Sequence, residues 1–267
     1  MSDSHREQPV YLVTGAGSGI GRAFVELVAE DPNVQVALLG RRFDALEETL
    51  HLAGLDSCRA MAIGCDVADW DAVGSAVDVS VRRWGALTGA FNAAGTFGVF
   101  DKLGDEDPAK VKEVIDTNLF GSWVCLSHEA RVMRPQRGGA IVMTGSIASF
   151  QGHTRSAIYA ATKSAILGLT RSAALQLGPD GIRVNAVCPG STDTPMLRSL
   201  YRTEEELAQR ASRSSLGRVG QPREVAEAAR WLLSDAASFV TGQSLGVDGG
   251  VTAGTAAPSR PDGDARG

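Results

Sequence analysis

The chain has 267 residues, of which 43% are hydrophobic, and its 26 basic and 31 acidic side chains give a formal net charge of −5. This composition excludes disorder for most of the chain, and the lack of a basic cluster argues against a nucleic-acid partner. No apolar run is long enough to span a bilayer and the first ten residues do not resemble a signal peptide, so we expect a cytoplasmic protein without membrane contact.

Short apolar runs typical of strands alternate with segments in which apolar residues recur every three or four positions, as they do in helices. The predicted strands are Val10–Thr14, Val34–Leu39, Arg59–Cys65, Leu87–Asn92, Gly139–Thr144, Arg183–Cys188 and Ser244–Val247. The predicted helices are Ile20–Ala29, Phe43–Leu52, Trp70–Trp84, Val111–Met133, Ala157–Leu177 and Arg223–Leu233. This alternation predicts an α/β fold, namely a single doubly wound Rossmann-type three-layer sandwich with a parallel seven-stranded sheet.

One domain is predicted over residues 9–251. Residues 1–8 are expected to form a flexible N-terminus, and residues 252–267, rich in Ala, Pro, Gly and Asp, a disordered tail. The connection over about 190–220 is longer than usual in α/β folds and carries a helical pattern at Glu204–Ala211, so we predict a substrate lid there. The four cysteines form no CxxC pair and have no histidine at ligand spacing, so no metal is expected.

A glycine-rich turn, TGAGSGIG at 14–21, lies between the first strand and the first helix. Glycine permits a tight turn and the close approach of a pyrophosphate, and the N-terminus of a helix favours an anion. The spacing is G-x-x-x-G-x-G rather than G-x-G-x-x-G, and a purely structural turn is the alternative interpretation. The predicted phosphate-binding residues are Gly15, Ser18, Gly19, Ile20 and Gly21.

The residues after the second predicted strand indicate which dinucleotide binds. A carboxylate there would bind the ribose hydroxyls of NAD, whereas an arginine would bind the 2′-phosphate of NADP. The sequence has Gly40 followed by Arg41 and Arg42, which predicts a preference for NADP(H). NAD(H) is the alternative if the two arginines are a solvated pair at the start of a helix, partly neutralised by Asp44.

Tyr159 and Lys163 lie four residues apart on one predicted helix and therefore on the same face. A phenol with an ordinary pKa near 10 is a poor base at neutral pH, but a neighbouring cation favours the phenolate. Tyr159 is thus a candidate general acid and base, and the hydroxyl of Ser146 at the end of a strand is a candidate partner for the reacting oxygen.

Together these motifs closely resemble the classical short-chain dehydrogenases/reductases over about residues 9–251. The matching segments are TGAGSGIG at 14–21, CDV at 65–67, NAAG at 92–95, DTNLFG with Asn118, TGSIAS with Ser146, YAATK at 159–163 and PGSTDT at 189–194. The resemblance implies that Tyr159 exchanges the proton, Ser146 orients the oxygen, and Lys163 holds the nicotinamide ribose and lowers the pKa of Tyr159. It also implies that Asn118 keeps a water that connects Lys163 to solvent.

The same resemblance assigns further contacts to the cofactor. Asp66 and Val67 correspond to contacts of the adenine ring. The loop beside the ribose contributes Asn92, Ala94 and Gly95, and the segment that holds the nicotinamide contributes Pro189, Gly190, Thr192 and Thr194. The chain departs from the family pattern at Ala93 and Thr88, where an asparagine and an aspartate are usual, and both departures concern support of the fourth strand.

The function predicted from this resemblance is hydride transfer between a nicotinamide cofactor and a small-molecule secondary alcohol or ketone, by a homotetramer or homodimer. One alternative is a 3-oxoacyl-[acyl-carrier-protein] reductase, for which an acidic carrier would need basic residues near the lid. The candidates for that role are Arg198, Arg202, Arg210, Arg213 and Arg218. Another alternative is a non-catalytic nucleotide-sensing or scaffold protein. Candidate pocket residues are Phe97, Phe100, Phe150, Met196 and, with a solvated loop position as the alternative, His153.

Overall fold

Residues 8–254 are described by a computed structural model of the chain. The predicted N-terminal segment 1–8 and the predicted tail 252–267 lie outside the described residues, apart from Gln8 and residues 252–254. Among the helices of the described part, none has both the length and the apolar character needed for a bilayer span.

Seven parallel strands form one sheet, as predicted. They are β1 (Val10–Thr14), β2 (Gln35–Gly40), β3 (Ala60–Gly64), β4 (Gly89–Asn92), β5 (Gly139–Thr144), β6 (Ile182–Pro189) and β7 (Ser244–Val247). Their order across the sheet is β3-β2-β1-β4-β5-β6-β7, and every pair is parallel. The order reverses between β1 and β4, and ligands of doubly wound sheets bind outside the carboxyl ends of the strands at such a reversal.

The described residues contain nine α-helices. They are α1 (Gly19–Ala29), α2 (Phe43–Leu52), α3 (Trp70–Trp84), α4 (Pro108–Ile115), α5 (Gly121–Gln136), α6 (Ala157–Leu177), α7 (Pro195–Leu200), α8 (Glu204–Ala211) and α9 (Pro222–Leu233). Buried residues of α1, α2 and α9 form one apolar cluster with the sheet, and those of α3, α5 and α6 form the other. The three-layer sandwich predicted from the alternating pattern is confirmed.

The predicted helix over residues 111–133 is wrong in one respect, because it is not a single regular helix. It begins earlier, as α4, with the Asp107 side chain accepting a hydrogen bond from the backbone N–H of Ala109 at 2.9 Å. A π-helical turn over Asp116–Phe120 then separates α4 from α5. Within the predicted lid, α7 is an additional helix that the periodicity did not predict.

Thr88 supports the fourth strand where the family pattern has an aspartate. Its hydroxyl accepts a hydrogen bond from the backbone N–H of Val10 at 2.9 Å and lies 3.1 Å from the carbonyl oxygen of the same residue, to which it can donate. The Thr88 hydroxyl therefore links the residue just before β4 to the first residue of β1. At the position where the family pattern has an aspartate, the Thr88 hydroxyl can bond to both the backbone N–H and the carbonyl oxygen of Val10.

Candidate active site

A cavity of about 350 Å³ opens at the carboxyl ends of the central strands. Many of the predicted site residues line it together: Ser18, Gly19, Ile20, Gly21, Gly95, Ser146, Tyr159, Lys163, Pro189, Gly190, Thr192 and Thr194. These residues come from five separate chain segments, and the reversal of strand order brings them to one place. The cavity therefore joins the predicted cofactor and catalytic residues in a single site.

Helix α6 carries Tyr159 and Lys163 into this cavity. The ammonium group of Lys163 donates a hydrogen bond to the carbonyl oxygen of Thr144, at the end of β5, at 2.9 Å. Lys163 is only 4% exposed, and its Nζ atom lies 5.8 Å from the centre of the Tyr159 ring. The bond to β5 thus fixes the cation close to the phenol.

The π-helical turn presents Asn118, which is fully buried, to the same place. Asn118 accepts a hydrogen bond from the backbone N–H of Thr96 and donates one to the carbonyl oxygen of Thr96, both at 2.8 Å. A Cβ atom built on Gly95 would lie 3.3 Å from the Oδ1 atom of Asn118 and 3.5 Å from the Nζ atom of Lys163. The amide and the ammonium therefore converge on Gly95, which leaves room between them.

Ser146 is held by the turn that follows β5. The hydroxyl of Ser149 accepts a hydrogen bond from the backbone N–H of Ser146 at 3.1 Å and donates one to the carbonyl oxygen of Lys163 at 2.7 Å. Ser146 is 8% exposed and lines the cavity with Tyr159. We call Asn118, Ser146, Tyr159 and Lys163 the catalytic floor.

Burial dominates the acid–base properties of the catalytic floor. It raises the pKa of Tyr159, and the hydroxyl of Ser146 opposes this rise. It lowers the pKa of Lys163 to about 8, so the ammonium form prevails at neutral pH. The sequence predicts that the neighbouring cation lowers the pKa of Tyr159, but in the protein alone the loss of solvation raises it, and the group that opposes this rise is Ser146 rather than Lys163.

The glycine turn before α1 fits a dinucleotide phosphate. Gly15 and Gly19 have φ values of +67° and +55°, and a Cβ atom on Gly15 would lie 2.8 Å from the Cα atom of Ala94. Ser18, at the N-cap of α1, makes no side-chain hydrogen bond to the helix, and the first turn contains no acid. The backbone N–H groups at this helix start are thus available to an anion.

Other predicted cofactor residues surround the cavity without lining it. Arg41 and Arg42 are exposed at the end of β2, and an Nη atom of Arg41 lies 3.6 Å from a carboxylate oxygen of Glu113. Asp66 is exposed after β3, and the neighbouring Val67 is buried. Their exposure leaves both arginines and the Asp66 carboxylate accessible to a ligand.

Asn92 and Ala94 lie behind the cavity. The side chain of Asn92 donates a hydrogen bond at 2.9 Å to the carboxyl group of Glu129, a fully buried residue of α5. Burial raises the pKa of Glu129 to about 8, although the bond from Asn92 opposes that rise. The backbone N–H of Ala94 donates to the hydroxyl of Thr14 at 3.1 Å. The side-chain amide of Asn92 therefore points into the core, where it supports the loop at Ala94 and does not line the cavity itself.

Aromatic side chains line part of the cavity. Phe97 packs on Tyr159, with 4.6 Å between the ring centres, and His153 packs edge-on against Phe97 at 5.8 Å. Phe100 contacts His153, and Met196 also lines the cavity. Phe150, the remaining candidate pocket residue, is 48% exposed and does not line it.

Three cavity residues follow α7 or belong to α8 and its end. Sequence reasoning did not name Tyr201, and it named Arg210 and Arg213 only as candidates for binding an acidic carrier. The sequence offered only a weak signal, because the two arginines stood among five similar arginines near the lid. We call the set Phe97, Phe100, His153, Tyr201, Arg210 and Arg213 the substrate wall.

Comparison with known proteins agrees with this geometry. A family model described as enoyl-(acyl carrier protein) reductase matches residues 15–252. Cis-4-hydroxycyclohexanecarboxylate dehydrogenase of Sinomonas cyclohexanicum is 40% identical over 254 residues, which cover 95% of this chain and 100% of that enzyme. 2,5-Dichloro-2,5-cyclohexadiene-1,4-diol dehydrogenase of Sphingobium indicum is 40% identical over 246 residues, covering 91% of this chain and 96% of that enzyme.

Among solved structures, actinorhodin polyketide ketoreductase with NADPH superposes with a TM-score of 0.86 at 32% identity, covering 93% of this chain and 98% of that chain. The curated relatives are dehydrogenases of hydroxyl groups, and the matches span nearly the whole chain. The chain therefore belongs to the short-chain dehydrogenase/reductase family, as an oxidoreductase that transfers hydride between a nicotinamide cofactor and a secondary alcohol or ketone.

Proposed function

We propose that the enzyme acts on a secondary alcohol carried by a six-membered ring, or on the corresponding ketone, with NADP(H) as its preferred cofactor. The observation that carries this proposal is the convergence of Tyr159, Lys163 and Ser146 on a cavity that aromatic side chains also line. The aromatic rings that line the cavity present flat apolar surfaces on which an alicyclic substrate can pack. Two relatives are named for ring alcohols, which supports the same substrate class.

The nicotinamide, when bound, accepts hydride from the alcohol carbon or returns it to the ketone carbon. In our proposal Ser146 donates a hydrogen bond to the substrate oxygen and fixes its position. Tyr159 takes the proton from that oxygen during oxidation and returns it during reduction. Because burial keeps Tyr159 protonated in the protein alone, the phenol is ready to act as the acid of the reductive direction.

In our proposal Lys163 and Asn118 transfer that proton between Tyr159 and solvent. The pKa of Lys163, about 8, lets its ammonium group release a proton near neutral pH far more readily than an exposed lysine does. Asn118 lies on the far side of Gly95 and is bound to the backbone of Thr96. We propose that a water held between these two groups completes the route.

The preference for NADP(H) is proposed from charge. The position at the end of β2 that favours NAD when acidic is Gly40, and the two guanidinium groups that follow it are exposed. Glu113 competes for Arg41, but at 3.6 Å between half-exposed groups this pair contributes little. A 2′-phosphate carries more charge than a carboxylate and would displace it.

A steady-state comparison of NADPH and NADH tests the cofactor preference. We expect kcat/KM to be at least tenfold higher with NADPH, and Arg41→Ala with Arg42→Ala to remove that advantage while leaving the NADH value nearly unchanged. Arg82→Ala, which changes an exposed arginine at the end of α3, is the matched control. Equal efficiency with the two cofactors in the wild type would contradict the proposal.

The acyl-carrier-protein alternative is disfavoured by how the lid arginines are engaged. Arg198 bonds to Asp193 at 2.7 Å and to Glu204 at 3.2 Å, and Arg218 bonds to Glu224 at 2.6 Å. These pairs neutralise two of the five arginines that a carrier would need. Turnover of acetoacetyl thioesters in preference to free ring ketones would restore this alternative, and failure of every alcohol and ketone would restore the nucleotide-sensing alternative.

A homotetramer in the cytoplasm remains part of the proposal. Large apolar side chains are exposed on the outer surface, with Leu175 at 81% and Phe239 fully exposed. Trp70 and Trp123, which stack at 5.4 Å between ring centres, are each more than 40% exposed. Exposed apolar groups of this size are typical of subunit interfaces. Light scattering coupled to size-exclusion chromatography gives the assembly mass directly.

A further inference from the structure

We infer that the substrate carries a carboxylate on the side of its ring remote from the reacting hydroxyl, and that Arg210 and Arg213 bind this carboxylate. The inference rests on the proposed function and makes its substrate class more specific. It follows from the charges that line the cavity, from the pairing of the lid arginines and from the row of aromatic rings that lies between Tyr159 and Arg210.

The charged side chains that line the cavity are all cationic. Among its described lining residues there is no aspartate or glutamate, whereas Lys163, Arg210 and Arg213 are all present. A cavity with charges of a single sign attracts ligands of the opposite sign and repels ligands of the same sign. Lys163 lies on the catalytic floor beside Tyr159, so the two arginines are the cations available to the remainder of a substrate.

Neither arginine has an acidic partner within residues 8–254, because none of the ion pairs there includes Arg210 or Arg213. The nearest acid in sequence, Glu206, lies one helical turn before Arg210 on α8, but its carboxylate accepts hydrogen bonds from the backbone N–H groups of Arg202 and Thr203 instead. Burial and the nearby Arg213 lower the pKa of Arg210. An anion bound between the two guanidinium groups would offset both the loss of solvation of Arg210 and its repulsion by Arg213.

Arg210 is held in place rather than free in solvent. It is half-buried, its guanidinium carbon lies 4.2 Å from the centre of the Tyr201 ring, and it donates a hydrogen bond to the hydroxyl of that tyrosine. Tyr201 in turn packs edge-on against Phe100. A guanidinium that is already positioned loses little conformational entropy when it binds a carboxylate, which it can contact through two parallel hydrogen bonds.

Aromatic rings separate these guanidinium groups from the catalytic phenol. Tyr159 contacts Phe97, Phe97 contacts Phe100 at 5.9 Å between ring centres, and Phe100 contacts Tyr201, on which Arg210 rests. A substrate that spans this row needs an apolar body between a hydroxyl and an anion. The guanidinium groups also lower the pKa of His153, after the larger effect of its burial, so the imidazole is neutral and does not add a further cation.

The test compares matched substrates that differ in charge. The probes are 4-hydroxycyclohexanecarboxylate, its methyl ester and cyclohexanol, each with saturating NADP⁺ and NAD⁺. We expect kcat/KM for the carboxylate to exceed that for the methyl ester at least tenfold. In the double variant Arg210→Gln and Arg213→Gln the ratio should fall to near one, because kcat/KM for the carboxylate should fall about tenfold more than kcat/KM for either neutral alcohol. Arg202→Gln, an exposed arginine outside the cavity, is the matched control.

A binding measurement separates this inference from the proposed function. Calorimetric titration of the cofactor complex with cyclohexanecarboxylate and with its carboxamide needs no turnover, and we expect the wild type to bind the carboxylate at least tenfold tighter. If no alcohol is oxidised but this difference is present and is lost in the double variant, the proposed function is wrong and the anion site stands.

Three results would overturn the inference. The first is equal kcat/KM for the carboxylate and the ester in the wild type, together with equal binding of the two titrated ligands. The second is a double variant that keeps the full preference for the carboxylate. The third is a double variant whose Kd for NADP⁺ rises, or whose turnover of acetoacetyl-coenzyme A falls, while the carboxylate preference is intact. In that last case the arginines serve phosphates of the cofactor or of a carrier.

Discussion

The catalytic floor and the substrate wall adjoin in one site, where Phe97 packs on Tyr159, yet they are held in different ways. Lys163 and Asn118 on the floor are bound to backbone carbonyl and N–H groups of Thr144 and Thr96. On the wall, side chains rest on other side chains, as Arg210 rests on Tyr201.

A backbone N–H or carbonyl group is kept when its residue is replaced by any residue except proline, so the positions of Lys163 and Asn118 tolerate most side-chain changes around them. Side-chain partners can be replaced one by one, so the wall can change its ligand without disturbing the proton transfer. Substitutions on the floor should therefore reduce the turnover of every substrate. Substitutions on the wall should change which substrate is preferred.

The largest effect is expected on the floor, for Tyr159→Phe. Loss of the phenolic proton should reduce kcat by about a thousandfold, since general acid–base groups contribute 10²–10⁴-fold, and the Kd of NADP(H) should change little. Tyr11→Phe, at another largely buried tyrosine, controls for loss of a phenol as such. The distinction between floor and wall would be wrong if Tyr159→Phe lowered kcat for one substrate and left kcat for another unchanged.

Gly95→Ala tests the space shared by Asn118 and Lys163. The added methyl group would lie 3.3 Å from the amide oxygen and 3.5 Å from the ammonium group, so it should disturb the proton route and lower kcat about tenfold for all substrates. Gly168→Ala in α6 has open space around it and should leave kcat intact. Unchanged kcat in Gly95→Ala would argue against a route between the two groups.

Lys163→Met should change how stability depends on pH. The pKa of Lys163 in the folded protein, about 8, is below its ordinary value of 10.5, so between these pH values the unfolded chain binds more protons. The free energy of unfolding of the wild type should therefore rise over this interval relative to that of the variant, by about 2 kcal/mol. Denaturant unfolding without cofactor at pH 7.5 and pH 10 measures the difference. A constant difference would mean that the lysine titrates as it does in water.

Thr88→Val should weaken the scaffold behind the floor without touching the chemistry. Removing the hydroxyl leaves the backbone N–H of Val10 without its partner, which should cost about 1–2 kcal/mol of unfolding free energy. Thr88→Ser keeps the hydroxyl and should retain most of that stability. Because the catalytic floor is bound elsewhere, kcat at 25 °C should be the same in all three proteins.

The smallest effect is expected on the wall, for Phe97→Leu. The ring packs at 4.6 Å on Tyr159, and replacing it with a smaller apolar group should change the ratio of kcat/KM between cyclohexanol and cyclopentanol by up to about tenfold. Phe150→Leu, outside the cavity, is the control. An equal loss of kcat/KM for both alcohols would mean that Phe97 affects turnover in general, as the floor residues do, and not the choice of substrate.

The fold and the placement of Tyr159 beside Lys163 could be predicted from the sequence because both depend on local signals, whereas Asn118 was implied only by the family resemblance. The strands follow apolar runs, with observed ends within two residues of the predicted ones, and the Tyr159–Lys163 pair follows from helix geometry. Its acid–base behaviour could not be predicted, since the pKa of Tyr159 depends on burial by distant segments.

The wall could not be predicted for a different reason. Arg198 and Arg210 have the same side chain and lie in the same connection, but one is paired with Asp193 and the other faces the cavity. Only the path of the connection over the sheet distinguishes them. The periodicity also missed α7, whose six residues are too few to produce a helical pattern.

The π-helical turn at Asp116–Phe120 has a consequence for the surface of the protein. A π turn contains one residue more than an α-helical turn, so the helix that follows it is rotated by about 100° relative to an uninterrupted α-helix. Side chains of α4 and α5 that one continuous helix would put on a common stripe therefore face different directions. Deleting a single residue in this turn would restore the regular phase and turn the aromatic surface at Trp123 to a new direction, together with Asn118.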